Sequence, residues 1–228
     1  MTSTAQAHHD RQVASWLLIC AAVIFGMILL GGVTRLTNSG LSMVEWRPLM
    51  GVVPPLSEEA WQASFEKYKQ FPEYRKVNLG MSLHEYKSIF MYEYLHRVLG
   101  RLIGVIFLLP MLYFAIRGRI RPGLMPQLLL LFFLGACQGL LGWYMVKRGL
   151  VDNPRVSQYR LTAHLGLAFA IDAYMVGLAL DLLSPPVAAA GGALPRSAGW
   201  ALALVGVVYL MILSGGLVAG TRAGFAYS

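Results

Sequence analysis

The chain has 228 residues, 57% hydrophobic and only 13% charged, with a mean hydropathy of +0.57 and a net charge of +8. Soluble domains carry about a quarter charged residues, so a water-soluble globule is excluded. The Lys and Arg excess falls mostly beside apolar runs, which indicates lipid headgroups as its counterpart and excludes a nucleic-acid binder.

Residues 1–12 predict a cytoplasmic tail without the Arg-rich, amphipathic character of a transit peptide. The apolar run at 13–34 is longer than a signal-peptide core and reads as a retained membrane helix. An outer loop follows at 35–87. It opens on "TRLTNSGLSMVEWRPLMGVVPP", rich in turn-forming residues, and continues with "SEEAWQASFEKYKQFPEYRKV". There Ser57 starts a short amphipathic helix with Trp61, Phe65 and Tyr68 on one face, expected to lie on the membrane surface.

Four more spans are expected at 88–115, 124–146, 160–183 and 199–219, each near the ~20 residues that cross a bilayer. The second is longer than the hydrocarbon requires, so it tilts or projects. Trp16, Trp46, Tyr92, Trp143, Tyr144, Tyr159 and Trp200 lie near span ends, as interfacial aromatics do. The short basic loop "IRGRIRPG" between the second and third spans places the N-terminus in the cytoplasm and the long loop outside. Cys20 and Cys137 each sit inside an apolar run, with no CxxC, and give no redox signal.

The segment "MILSGG" at 211–216 nearly repeats "MILLGG" at 27–32, and each precedes a Thr-Arg pair and a turn-like stretch. Such self-similarity predicts two related bundles in tandem. The expected fold class is therefore an all-α integral membrane protein. A four-helix bundle occupies 13–183, an inner linker 184–198, and the first helix of a second, pseudo-symmetric bundle 199–219. Residues 220–228 would begin that bundle's outer loop. A lone fifth helix reads as a fragment of a longer protein.

The chemistry concentrates in "MYEYLHRVLGRLIG", residues 91–104, where Glu93, His96, Arg97 and Arg101 fall in a membrane helix. Unpaired, each would cost several kcal/mol there. Glu93 and Arg97 stand at i, i+4 and can pair. Gly100 and Gly104 continue the row of His96, so a flat, bulky partner can approach the backbone over them, with Arg97 and Arg101 on the neighbouring row. A second histidine, His164, sits in "YRLTAHLGLAF" with Gly166 and Ala168 close by. Two neutral imidazoles facing an apolar gap, with arginines beside them, suit bis-histidine haem ligation with propionates held by guanidinium groups.

Other readings remain open on the residues alone. His96 can serve as a helix–helix hydrogen-bond partner, and the Glu93–Arg97 pair can simply neutralise itself. His8, His9 and His84 read as solvated surface. Gly135 and Gly139 form a GxxxG pair that predicts close helix packing, with Gln138 needing a partner inside the bundle. Asp172 is left either to pair across helices or to handle protons or water.

Five stretches together resemble the haem A synthase family: "GGVTRLTNSGLSMVEWRPLMG", "EYLHRVLGRLIG", "GACQGLLGWYMVKRGL", "RLTAHLGLAF" and "GGLVAGTRAGFAY". They span nearly the whole chain in the family's order. The resemblance implies an eight-helix protein of two similar bundles that converts haem O to haem A. It does so by oxidising one porphyrin methyl to a formyl, by way of hydroxylation, for terminal oxidase biogenesis. It implies haem O as substrate in the first bundle, His96 and His164 as iron ligands, and Glu93 as the catalytic glutamate. Arg97, Gly100, Arg101 and Gly104 become contacts to propionates or macrocycle.

A haem b is expected in the second bundle, with ligands beyond Ser228, so this chain alone should lack the electron-delivering haem. Residues 35–87 contain no cysteine, which matches the branch without an outer-loop cysteine pair. The implied setting is the bacterial inner membrane rather than the mitochondrial one. The implied partners are haem O, membrane lipid and an electron donor of unassigned identity. Haem O synthase, oxidase assembly factors and a second copy of the chain are candidate protein partners, and no nucleic acid is expected. The competing functions are a bis-His b-type cytochrome passing electrons from quinol and a transporter whose ionisable groups line a substrate path.

Overall fold

A computed structural model describes residues 3–45, 53–149, 156–184 and 196–221. Among these residues the chain forms seven helices and no strand: α1 (Ser3–Leu36), α2 (Glu58–Tyr68), α3 (Pro72–Lys76), α4 (Leu83–Ile116), α5 (Leu124–Gly149), α6 (Gln158–Leu183) and α7 (Arg196–Thr221). α1, α4, α5, α6 and α7 are long and apolar enough to cross a membrane. The chain is an all-α integral membrane protein. Trp46, most of the expected inner linker and the expected outer-loop start at 222–228 lie outside the described residues.

The helices outrun their apolar cores. α1 begins at Ser3 and takes in most of the expected tail, supported by i, i+4 side-chain pairs: Gln6 donates to Asp10 at 2.9 Å, and Gln12 lies 3.1 Å from His8. α4 begins five residues before the predicted span. The Glu85 carboxylate accepts from the Ser82 amide at 2.8 Å, and the Ser82 hydroxyl accepts from the Glu85 amide at 3.3 Å. This reciprocal capping box is a local signal, "SLHE", that hydropathy alone does not reveal.

The chain divides into two compact units. The first takes α1 up to Ile24, Ile106–Gln138, and α6 with α7. Here α1 buries Val13, Leu17, Cys20, Ala21 and Ile24 at helical spacing. Pro110 lies inside α4 and has no N–H, so the carbonyl of Ile106 loses its helical donor. The indole of Trp16 supplies one instead, donating to that oxygen at 3.0 Å while its ring packs on Phe107 and Phe114. In a hydrocarbon setting a bare carbonyl has no water to turn to. Trp16→Phe should therefore destabilise the protein in detergent by about 1–3 kcal/mol, because it leaves that oxygen only the weak thiol donor of Cys20 at 3.9 Å. Thermal unfolding checks this, and an unchanged midpoint would refute the assigned bond.

α7 crosses α6 at small residues. A β-carbon at Gly216 would come within 2.9 Å of the Thr162 hydroxyl, and Gly166 faces Leu213 and Tyr209. At Gly220 an added β-carbon would collide with the backbone of Gln158. The two near-repeats thus use different glycines. Gly31, first of its pair, takes a neighbour, whereas in the second copy it is Gly216, second of its pair. The expected GxxxG packing at Gly135 and Gly139 is not found: a β-carbon at either would meet nothing within 4 Å. The spacing alone was insufficient because no neighbouring helix among the described residues approaches that face.

The second unit comprises the described residues of Phe25–Val105 and Gly139–Val156. Ser57 caps α2, accepting from the Ala60 amide at 3.2 Å. The aromatic face of α2 does not spread on a membrane surface. Phe65 and Tyr68 are buried against Tyr86 and Phe90 at the start of α4, with Trp61 and Tyr74 packed alongside. These rings stack or meet edge to face at centroid distances of 5.0–5.9 Å for the pairs centred on Phe65 and Tyr68. α3, opened by Pro72 in its first turn, was not expected from the sequence. Burial pushes the Tyr68 phenol above the ordinary tyrosine range, partly offset by the Asn78 amide donating to it at 2.7 Å.

Candidate functional site

In the second unit, α4 presents the charged residues and the loop after α1 folds onto them. Asn38 adopts φ 52°, the left-handed conformation that Asn tolerates, and turns the chain so that Ser39 and Ser42 become buried. Glu93 is 2% exposed. One carboxylate oxygen accepts from the Ser42 hydroxyl at 2.8 Å and from the Met43 amide at 2.7 Å. The other accepts from Arg97 at 2.5 Å. Arg97 also donates to the carbonyls of Met43, at 2.9 Å, and Glu45, at 3.3 Å. The pair expected from i, i+4 spacing is therefore present, but it does more than self-neutralise. It latches residues 42–45 to the helix.

His96 stands one turn further along α4 and is half-buried. A β-carbon at Gly31 would lie 3.2 Å from its Nε2, so only glycine gives the imidazole edge this much room on α1. Along the His96 row, the Met27 methyl lies 3.4 Å from the β-carbon position of Gly100, and nothing stands within 4 Å of that of Gly104. The backbone at Gly104 is bare, as a flat ligand would require. Arg101 is half-buried on the adjoining row.

In the first unit, α6 carries His164. Its ring Nδ1 is buried with no hydrogen-bond partner among the described residues, whereas its backbone carbonyl accepts from Gln138 at 2.9 Å. Gln138 thus finds the internal partner its polarity demands, and it is α5 that positions the His164 turn. The Gln138 side-chain oxygen, the Thr162 hydroxyl and one Asp172 oxygen are likewise buried and unpartnered among the described residues. Of the histidines read as surface, His8 and His84 are exposed, while His9 is half-buried.

Glu93, Arg97 and the loop are brought together, and His96 is set beside Gly31. His164 belongs to the other unit with Gln138. Ser42, the Met43 amide, Gly31 and the Gln138–His164 bond are the features that sequence reasoning missed or undervalued. Only the "NSGLS" turn signal hinted at the first two. Each unit by itself offers what an iron porphyrin can use: the first an imidazole whose buried Nδ1 has no partner among the described residues, the second an imidazole over a glycine, with a bare glycine backbone and arginines on the same helix.

Residues 14–228 match the family described as cytochrome oxidase assembly protein. The heme A synthase of Nitrosospira multiformis is 57% identical over 220 residues, covering 96% of this chain and 62% of the relative. That of Paramagnetospirillum magneticum is 56% identical over 225 residues, covering 97% and 63%. That of Nitrosomonas eutropha is 53% identical over 223 residues, covering 95% and 61%. The chain spans about three fifths of the length of these curated relatives. No solved structure matches it.

Proposed function

Because the chain belongs to the cytochrome oxidase assembly protein family, we propose that it carries out the chemistry named for its relatives, as an oxidoreductase that makes haem A. Its substrate is haem O, one methyl of which is oxidised to a formyl. Its setting is the bacterial inner membrane, with the N-terminus in the cytoplasm. The observation that carries this reading is His164, a half-buried imidazole on an apolar helix whose Nδ1 is itself buried with no partner among the described residues and whose backbone carbonyl is held by Gln138.

His96 and His164 are the iron ligands in this proposal. When bound, the iron porphyrin supplies both the oxidisable methyl and the redox centre. The chain binds and orients it. The open backbone at Gly104, with Gly100 beside it, admits the macrocycle edge. Arg97 and Arg101, one turn apart on the row beside His96, are the candidates for the propionates. Glu93 fixes the loop beside His96 and in this reading also bounds the methyl edge, with the electron donor left as an unassigned partner.

The test is to express the chain in cells that make haem O, purify it, and identify bound haem by extraction and pyridine-haemochrome spectra. Haem O or haem A is expected. Haem B alone would favour a bis-His cytochrome, and a folded protein with no Soret band would turn the ionisable cluster over to transport or packing.

A further inference from the structure

Away from the histidines, the first unit holds a second feature that the proposed chemistry does not use. An open hollow of about 580 Å³ is lined by His8, Arg11, Gln12 and Trp16 of α1, together with Tyr113 and Arg119 from the far end of α4 and just beyond. Ser15, Ile19 and Phe114 complete it. That volume lies within the ~300–1,000 Å³ of small-ligand sites. None of the lining residues is acidic, and Asp10, the nearest acid in sequence, is bonded to Gln6.

The cationic rim is built rather than merely basic. Arg119 donates to the Gln12 side-chain oxygen at 3.1 Å, and its guanidinium lies 5.3 Å from the centre of the Tyr113 ring. The other end of the Gln12 amide meets His8 at 3.1 Å. Arg11 is exposed beside them and has no ion-pair partner among the described residues. Arg121, two residues after Arg119, is by contrast paired with Asp181.

The lining also changes character along α1. His8, Arg11 and Gln12 come first, Ser15 and Trp16 next, and Ile19 last, all on one helical face. At about 1.5 Å per residue, the eleven-residue step from His8 to Ile19 descends roughly 16 Å. Ile19 is 58% exposed and Tyr113 48%, so the lower wall is apolar and open. A ligand that fits must be anionic at one end and hydrocarbon at the other. A free phosphate would use only the rim.

We propose that this hollow binds one anionic phospholipid, its phosphate held by Arg11 and Arg119 and its acyl chains lying along Ile19 and Tyr113. Guanidinium groups suit phosphate oxygens because their donors are fixed in a planar fork. On the orientation proposed above, the site faces the cytoplasmic leaflet.

The test mixes the full chain in neutral detergent with equal amounts of phosphatidylglycerol and phosphatidylcholine and counts retained lipids by native mass spectrometry. Phosphatidylglycerol should be preferred, and Arg11→Gln should cut that preference by about fivefold, the effect of one arginine near an anionic lipid. Arg11 makes no bond that folding requires, so this variant separates binding from stability. Arg119→Gln should do the same or more, whereas Arg75→Gln, at an exposed position in the other unit, should change nothing. Equal preference in the parent, Arg11→Gln and Arg119→Gln proteins would overturn the site. Displacement of the lipid by equimolar inorganic phosphate would overturn the lipid assignment in favour of a free anion.

Discussion

Glu93→Ala is expected to destabilise the unit containing the outer loop by about 3–5 kcal/mol, the usual loss when one partner of a buried ion pair is removed. The Arg97 side chain is 8% exposed and would keep its charge without its carboxylate, and the Met43 amide would lose its acceptor, while the Ser42 hydroxyl would fall back on the Ser39 and Ile89 carbonyls. Chemical unfolding in detergent, followed through the aromatic cluster around Tyr68 and Tyr86, measures this. A loss below about 1 kcal/mol would mean that the latch is not holding the loop.

The same network separates two roles for Glu93. Ser42→Ala removes one donor and leaves the carboxylate in place. If Glu93 acts by fixing the loop beside His96, Ser42→Ala should lower both stability and haem A formation. If the carboxylate acts only on substrate, Ser42→Ala should leave turnover unchanged. Glu93→Gln retains the shape but turns one acceptor into a donor facing Ser42, Met43 or Arg97, so it should fall between parent and alanine variant.

The second large effect is expected at the histidines. His164→Ala should lower bound haem by more than the roughly 10–100-fold lost when only a partner supporting a metal ligand is removed. The fold should survive, because the ring Nδ1 has no partner among the described residues and the Gln138 bond goes to the backbone, which alanine keeps. His96→Ala should lose haem likewise. Extraction of haem from variants of matched thermal midpoint is the measurement, and full retention in either would remove that residue from the ligand set. Gln138→Leu supplies an intermediate case: it frees the His164 carbonyl, so haem should be held less tightly without being lost.

Hydropathy was sufficient for the five membrane helices because a bilayer leaves few alternatives. A run of about twenty apolar residues must satisfy its own backbone, and only a helix does so within one segment. The i, i+4 rule likewise placed Glu93 beside Arg97, since both lie on one continuous helix. The charge and small-residue pattern around His96 and His164 was legible for the same reason.

What the sequence left open depended on contacts between segments far apart in the chain. Ser42 reaches Glu93 across 51 residues, and Trp16 reaches the Ile106 carbonyl across 90. Neither partner is implied by periodicity, because a turn-rich loop gives no register against a helix. The aromatic stripe of α2 was visible, but whether it met lipid or protein was decided by Tyr86 and Phe90 arriving opposite it. GxxxG spacing was visible at Gly135 and Gly139, yet close packing occurs instead where Gly216 meets Thr162. Local sequence determined which segments are helices and which faces carry charge, because those follow from backbone and solvent. Tertiary structure alone decided which of those faces are paired, because a contact depends on both surfaces and each sequence segment describes only one.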